Sequence, residues 1–148
     1  MAYPSFYDPA TRRALADRLA GLTADRPAQW GSMNAPKMVL HLLESLKMAT
    51  GELRPRTRNL PLTFLTRPLF IHHLGWPKGA PTAPELLAGV PTSFAADVEA
   101  LRQRILTLPE PGAHDSVPPH PAFGPMTKHD WAVLIFRHID HHLTQFGC

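Results

Sequence analysis

Apolar residues recur every three or four positions in four separate stretches of the chain, the spacing that places them on one face of an α-helix. In the first stretch Leu15, Leu19 and Leu22 share this face. Asp8 precedes them as an N-cap residue, and Pro9 follows in the first turn, where the missing N–H costs nothing. The pattern predicts a first helix that begins after Asp8.

The second and third stretches have equally clear boundaries. The second begins at Asn34, a good N-cap residue, with Pro36 in the first turn, and it stops at Gly51, a natural residue after a helix. The third has Thr92 or Ser93 as its cap. Its apolar positions again step by three or four: Phe94, Val98, Leu101, Ile105 and Leu108.

The fourth stretch opens with Thr127 and Asp130, which form a capping-box pattern with Asp in place of the usual Glu. It continues to about Phe146, and Gly147 fits a helix C-terminus. The last helix is therefore predicted to occupy nearly all of the C-terminal twenty residues.

The segment between the second and third helices is apolar but interrupted by prolines, which break helices. It is predicted to form one or two short helical pieces laid across the bundle. Four amphipathic helices with one long proline-rich crossover between helices 2 and 3 favour an all-α four-helix bundle. A length of 148 residues suits one domain, residues 1–148. The interrupting prolines are Pro61, Pro68, Pro77, Pro81 and Pro84.

Charge and cysteine content indicate which binding partners and which cellular compartment to expect for this protein. The net charge is only +3, and the basic residues are scattered apart from Arg54, Arg56 and Arg58, so we expect no nucleic-acid partner. The single cysteine, Cys148, permits no internal disulfide, which fits a reducing compartment. No apolar run has the length of a membrane span or a signal peptide. These observations predict a cytoplasmic protein without a membrane partner.

Three histidines cluster on the last predicted helix. With about 100° between successive residues, His138 and His142 fall within about 20° of Trp131, on the apolar arc. His141 falls on the flank of that arc, and Arg137 falls on the opposite, polar arc. His138 and His142 are therefore predicted to point inward, one turn apart.

Two inward imidazoles have two interpretations. Each could donate or accept a hydrogen bond within the core, because an unpaired polar group there is costly. Alternatively both could bind one metal ion, since the spacing of four residues brings two side chains to one point. Two histidines on the same inward stripe favour the metal, on geometry alone.

A metal centre needs further ligands, and the second helix offers His41. On a helical projection His41 lies at the border between the core and polar faces, which suits either a ligand at a pocket mouth or a half-exposed structural histidine. Glu44, one turn further on, is a candidate fourth ligand or an acceptor behind the ligands, and a solvated side chain is the alternative.

At these residues the sequence resembles the DinB-like superfamily of metalloproteins, in a sub-branch classed as a domain of unknown function. The resemblance covers nearly the whole chain and is most specific in WGSMNAPKMVLH (30–41) and HPAFGPMTKHDWAVLIFRHIDHHLTQFG (120–147). The superfamily has one histidine in the second helix and a His-x-x-x-His pair in the last. The resemblance maps these positions onto His41, His138 and His142.

The resemblance also implies a four-helix bundle, often dimeric, that holds a divalent ion, zinc or nickel, through three imidazoles. Some members use low-molecular-weight thiols in transfer or isomerase reactions. The superfamily commonly has Arg-Gly-Gln after its second ligand, whereas this chain has Leu143, Thr144 and Gln145. That difference removes an arginine that could meet an anionic substrate and leaves the thiol partner open. The apolar crossover is a second reason to expect a homodimer.

Three neutral nitrogen ligands are typical of catalytic rather than structural zinc, because a coordination position stays open. Such an ion activates water or a thiol, so a metal-dependent thiol transferase or a hydrolase acting on a small molecule would follow. Glu44, His141 and Gln145 are the nearby polar candidates for proton transfer or orientation. The alternative is a non-catalytic metal-binding or interaction protein, because no acid–base partner is identified.

Overall fold

The helical pattern of the sequence is present in the structure, a computed structural model that describes residues 3–58 and 62–148. Within these residues the protein is all-α, with five α-helices, one short 3₁₀ helix and no strand. The helices are α1 (Pro9–Ala20), α2 (Ala35–Thr50), α3 (Thr63–His72), α4 (Phe94–Thr107) and α5 (Lys128–Gln145), and the 3₁₀ helix is Pro84–Leu87.

The predicted helix ends are confirmed by their hydrogen bonds. Asp8 and Asn34 cap α1 and α2, accepting from the N–H groups of Thr11 and Lys37 at 2.8 and 3.0 Å. Ser93, rather than Thr92, caps α4. The capping box of α5 is complete, since Thr127 and Asp130 each accept from the backbone of the other. Gly51 follows α2 with φ of 79°, a conformation in which a side chain is disfavoured.

The core lies where α2 and α5 meet α1 and α4. Helix α2 packs against α4 and α5, and α1 packs against the same two helices. Each fully buried leucine or isoleucine contributes about 1.5–3 kcal/mol through removal of apolar surface from water. The side chains with at most 2% exposure include Leu15, Leu19, Leu42, Leu46, Leu101, Ile105, Ile139 and Leu143.

The segment between α2 and α4 contains two helical pieces, in agreement with the predicted one or two. Pro68 does not interrupt this segment as predicted, because it lies inside α3. Helix α3 packs against α5, and the 3₁₀ helix packs against α2. The 3₁₀ helix contacts His41 of α2 through the Leu86 carbonyl, and α3 contacts Asp130 and Arg137 of α5. The predicted Pro61 interruption lies outside the described residues.

The prediction that Arg137 lies on a polar face is wrong. Its side chain is only 5% exposed, because α3 covers that side of α5. The guanidinium donates to the carbonyl oxygens of Phe70 and Ile71 at 2.7 and 2.5 Å and to that of Leu74. Carbonyls in the last turn of a helix have no intrahelical hydrogen-bond donor, and Arg137 supplies a donor to those of Phe70 and Ile71.

Several large apolar side chains between α2 and α4 remain exposed. They are Leu62, Leu65, Leu69, Phe70, Leu74, Leu87 and Val90.

Within the described parts of the chain, no helix combines the length and apolarity needed to cross a membrane.

Candidate metal centre

Three imidazole rings from two helices meet at one point. His41 comes from α2, and His138 and His142 come from successive turns of α5. The Nε2 atom of His138 lies 2.9 Å from Nε2 of His41 and 3.2 Å from Nε2 of His142. One nitrogen of each ring lies within 4.8 Å of the other two. The structure thus brings together the three histidines singled out from the sequence.

The burial of His41 differs from the sequence-based expectation. Its side chain was placed at the border of the core face, but only 2% of the residue is exposed. The reason is the 3₁₀ helix, which packs on α2 and carries Leu86 over the ring. His142 is also buried, whereas His138 is half-buried. The centre is therefore enclosed on the side of α2 by the 3₁₀ helix, and the Trp76 ring packs on His138.

Carbonyl oxygen atoms determine which ring nitrogens carry protons in His41 and His142. The backbone carbonyl of Leu86 can only accept, so Nδ1–H of His41 donates to it at 3.2 Å. The carbonyl of Trp30 accepts from Nε2 of Gln145 at 2.8 Å, which turns Oε1 of the same amide toward His142. Nδ1–H of His142 then donates to that oxygen at 2.8 Å.

These outward hydrogen bonds leave the Nε2 lone pairs of His41 and His142 directed at the centre. An Nε2–H on His138 can donate to one of the two lone pairs, and the other stays unpaired. A buried acceptor without a partner costs about 1–3 kcal/mol. A single cation between the rings would satisfy all three nitrogens at once.

Burial keeps the three imidazoles neutral. It lowers the pKa of His142 to about 3, with a further contribution from the charge of protonated His41. The pKa of His138 is well below its ordinary value, because burial and the neighbouring imidazoles both disfavour the charged ring. Burial also lowers the pKa of His41, against the effect of the Leu86 carbonyl. At neutral pH the rings need lose no proton before they bind a metal.

The nitrogen spacing fits a small divalent cation. Three nitrogens bound to one ion at about 2.0–2.1 Å lie about 2.8–3.4 Å apart in octahedral or tetrahedral geometry. The observed separations of 2.9 and 3.2 Å fall within this range. The donors are all imidazole nitrogens, which suit zinc, nickel, copper or iron better than magnesium or calcium.

The three other candidate residues have different positions. Gln145 contacts His142 directly, as described above. His141 is half-buried on the flank of α5, where its ring packs against His142 with centroids 5.2 Å apart. Glu44 lies outside the histidine group, and its carboxylate accepts from Lys47 Nζ at 2.7 Å. The structure therefore gives Glu44 a lysine partner and gives Gln145 a position behind the candidate ligands.

The three tryptophans differ in burial, which the sequence did not indicate. Only Trp131 is a core residue, with 2% exposure. Trp30 and Trp76 are half-buried, and the Trp76 ring packs on His138 with centroids 5.3 Å apart. The contact of Trp76 with His138 depends on tertiary packing, which the sequence does not reveal. The position of Trp76 between Gly75 and Pro77, in an otherwise polar turn, was a local sign that this aromatic residue is not an ordinary core residue.

Two histidines outside the centre also have defined partners. His72 is the last residue of α3, and its Nε2 lies 2.8 Å from Asp130 Oδ1. His120 packs at the entry to α5. Its Nδ1 accepts from the N–H groups of Ala122 and Phe123, and its ring contacts Trp131.

Comparison with known proteins adds a family but no characterised relative. The model of a protein family of unknown function, DUF1569, matches residues 53–147. The matched region contains His138, His142 and Gln145, and it begins after His41. No curated protein matches the chain, and no solved structure matches it.

Proposed function

The chain belongs to the DUF1569 family, whose function is unknown, and we propose that this member binds one divalent metal ion through His41, His138 and His142. One observation carries the proposal. The rings of His41 and His142 donate outward through Nδ1, to Leu86 and Gln145, so that both Nε2 lone pairs face His138. Histidines that bind metals are usually oriented by such outer partners.

Zinc or nickel is the proposed ion. Nitrogen ligands exclude hard cations that need oxygen, and the three rings leave the ion its full positive charge. When bound, such an ion would act as a Lewis acid toward water or a thiol. The protein's own contribution is to hold the rings neutral and in fixed orientation.

Within this proposal, the chain is a DinB-like protein with a four-helix bundle formed by α1, α2, α4 and α5. Support comes from the sequence motifs and from the arrangement of the ligands, with one histidine on α2 and a His-x-x-x-His pair on α5. The long crossover, with α3 and the 3₁₀ helix, would be the proline-rich connection of that bundle.

We propose further that the centre is catalytic and acts on a small molecule, by thiol transfer or by a related reaction. The donor set supports this, because three neutral imidazoles leave a bound ion with open coordination positions. Two residues next to the centre have supporting roles in this scheme. Trp76 limits water around His138, and His141 is the polar side chain available for proton transfer.

A structural ion or a metal-dependent hydrolase is the alternative. The observation that favours a structural role is that His41 and His138 connect α2 to α5, so an ion there would tie the two helices together. Chelation would then lower the melting temperature strongly, whereas removal of a catalytic ion leaves the fold nearly intact.

Calorimetric titration of the metal-free protein with zinc and with nickel tests the proposal. We expect one ion per chain, and we expect His138→Ala and His142→Ala each to weaken binding at least about tenfold. His114→Ala is the matched control, because His114 is exposed in a loop. Equal affinity in all four proteins, or no binding by the unmodified chain, would refute the metal centre.

An activity assay of the zinc-loaded protein distinguishes a catalytic ion from a structural one. The zinc-loaded protein would be assayed with low-molecular-weight thiols and an electrophile, and with simple esters. Turnover that disappears in His138→Ala but not in His114→Ala supports catalysis. A protein that binds zinc stoichiometrically, gains several degrees of melting temperature from it and turns over none of these compounds has a structural ion.

A further inference from the structure

We propose that the cavity beside the histidine centre binds a small, flat organic anion, namely a single aromatic or conjugated ring that carries a carboxylate. The cavity is lined by Tyr3, Trp30, Trp76 and His141 together with polar groups of α5. Its role as a substrate site rests on the proposed function, but the binding of the anion itself does not require the metal ion.

The size of the cavity fits one ring. Its volume is about 210 Å³. Protein cavities of about 150 Å³ accommodate benzene, so this one, which is open to solvent, has room for a six-membered ring and a carboxylate. Small-molecule sites of this kind are concave, with apolar walls and a few polar groups.

The apolar walls consist of aromatic rings. The indoles of Trp30 and Trp76 both pack against His141, with centroids 5.6 and 5.8 Å from that of the imidazole and interplanar angles of 66° and 54°. Three rings tilted around one point form a concave aromatic surface. Among the described residues no leucine, isoleucine or valine lines the cavity. A flat ring gains offset-stacked or edge contacts from such walls beyond simple burial.

The charges around the cavity favour an anion. Asp140, which lines it, is paired with Arg18 at 2.6 Å, so its charge is offset. The Arg137 guanidinium lies 4.2 Å from the Tyr3 centroid, and the Lys78 ammonium lies 4.5 Å from that of Trp30. Lys78 lies outside the cavity lining, but the field of the two cations would repel a cationic ligand and attract an anion.

The cavity and the metal centre share two walls. The Trp76 ring contacts His138, and the His141 ring contacts His142. The backbone of Trp30 also accepts the hydrogen bond that orients Gln145 behind His142. A ring held in the cavity is therefore next to the candidate ligands, separated from them by these side chains alone.

Indole N–H signals in a ¹H–¹⁵N NMR spectrum test the proposal directly. Benzoate, cyclohexanecarboxylate and benzylamine would each be titrated into the metal-free protein. We expect benzoate to shift the indole signals of Trp30 and Trp76 saturably. We expect the signal of Trp131 to stay in place, because that indole donates to the Pro118 carbonyl in the core. The saturated-ring carboxylate should bind more weakly, and the amine should not bind.

Two substitutions separate the ring contacts from the charge. Trp76→Leu should weaken benzoate binding about five- to tenfold while the Trp131 signal reports an intact fold. Lys78→Glu should weaken benzoate and admit benzylamine, whereas Lys37→Glu, an exposed change of the same charge, should alter neither. Equal shifts from benzoate and benzylamine, equal movement of Trp131, or no shift at all would overturn the proposal.

The same samples test the anion site and the metal centre separately. Zinc stoichiometry is measured separately, and the benzoate titration is repeated on zinc-loaded protein. Zinc binding without benzoate shifts refutes the anion site and leaves the metal centre standing. Benzoate shifts confined to Trp30 and Trp76, in a protein that takes up no zinc, support the anion site and refute the metal centre.

Discussion

Gln145 holds the His142 ring in one tautomer: its side-chain oxygen lies 2.8 Å from Nδ1, and its amide nitrogen is fixed by the Trp30 carbonyl. The orientation of one buried amide thus decides that the Nε2 lone pair of His142 faces the centre. A residue that touches no ion can in this way control how well an ion is bound.

Replacing Gln145 with alanine should weaken zinc binding about 10- to 100-fold, because His142 loses the acceptor that fixes its ring. Isothermal titration calorimetry measures the change. Gln103→Ala is the control, since Gln103 is exposed on α4. Unchanged affinity in the Gln145 variant would mean that the amide has only a packing role.

Replacing Gly31 with alanine should disturb the same amide from the backbone side. A Cβ atom at Gly31 would lie 2.9 Å from Gln145 Nε2, and φ is +79°. We expect a loss of about 1–3 kcal/mol in the free energy of unfolding, measured by urea unfolding, and a reduced zinc affinity.

Gly79→Ala is a matched control for this change. Gly79 has the same φ of +79°, but a Cβ atom added there would meet no other atom within 4 Å. It should lose stability through backbone strain alone, about 1 kcal/mol, and keep its zinc affinity. Equal effects of both variants on zinc binding would contradict the contact with Gln145.

Replacing Arg137 with methionine should destabilise the fold by about 2–4 kcal/mol. The carbonyls of Phe70, Ile71 and Leu74 would lose their donor at the end of α3. Urea unfolding measures the change, and Arg13→Met, at an exposed position of α1, is the control. Equal stability of the two variants would show that α3 does not depend on the guanidinium.

Acid should destabilise the protein partly through His120. Burial lowers the pKa of His120 to about 4, below its ordinary value of 6.5. The unfolded chain therefore takes up the proton first as the pH falls. The stability contribution is complete above about pH 6.5 and is lost toward pH 4, with an upper limit of about 3 kcal/mol.

His120→Asn tests this pH dependence. The asparagine oxygen can still accept from the N–H groups of Ala122 and Phe123, but it does not titrate. Urea unfolding at several pH values between 4 and 7 should give a flatter stability curve than the unmodified protein gives. His114→Asn should leave the curve unchanged, because His114 is exposed. Parallel curves for all three proteins would exclude His120 as a source of the acid sensitivity.

Four of the five α-helices in the described residues, all but α3, could be predicted with their boundaries because their signals are local. Asp8, Asn34 and the Thr127–Asp130 box act on N–H groups three residues away, so the residues that specify each end are adjacent in the chain. The inward direction of His142 followed in the same way from helical periodicity.

The surroundings of the centre could not be predicted, because they depend on where the crossover packs. The burial of His41 requires the 3₁₀ helix on α2, and the burial of Arg137 requires α3 on α5. Neither contact leaves a periodic signal in the crossover, whose apolar residues are interrupted by prolines. The aromatic cavity was missed for the same reason, since the contact of Trp76 with His138 depends on how the segment between α2 and α4 packs.

His41 and His138 are separated by 97 positions in the chain, yet their rings are in contact. A cation shared by them would act as a reversible cross-link that closes a loop of that length. By the chain-entropy relation for cross-links, a loop of about 100 residues restricts the unfolded ensemble by about 4–5 kcal/mol. An ion that stayed bound during unfolding would therefore hold residues 41–138 in a closed loop and make the unfolded chain more compact than the linear polymer.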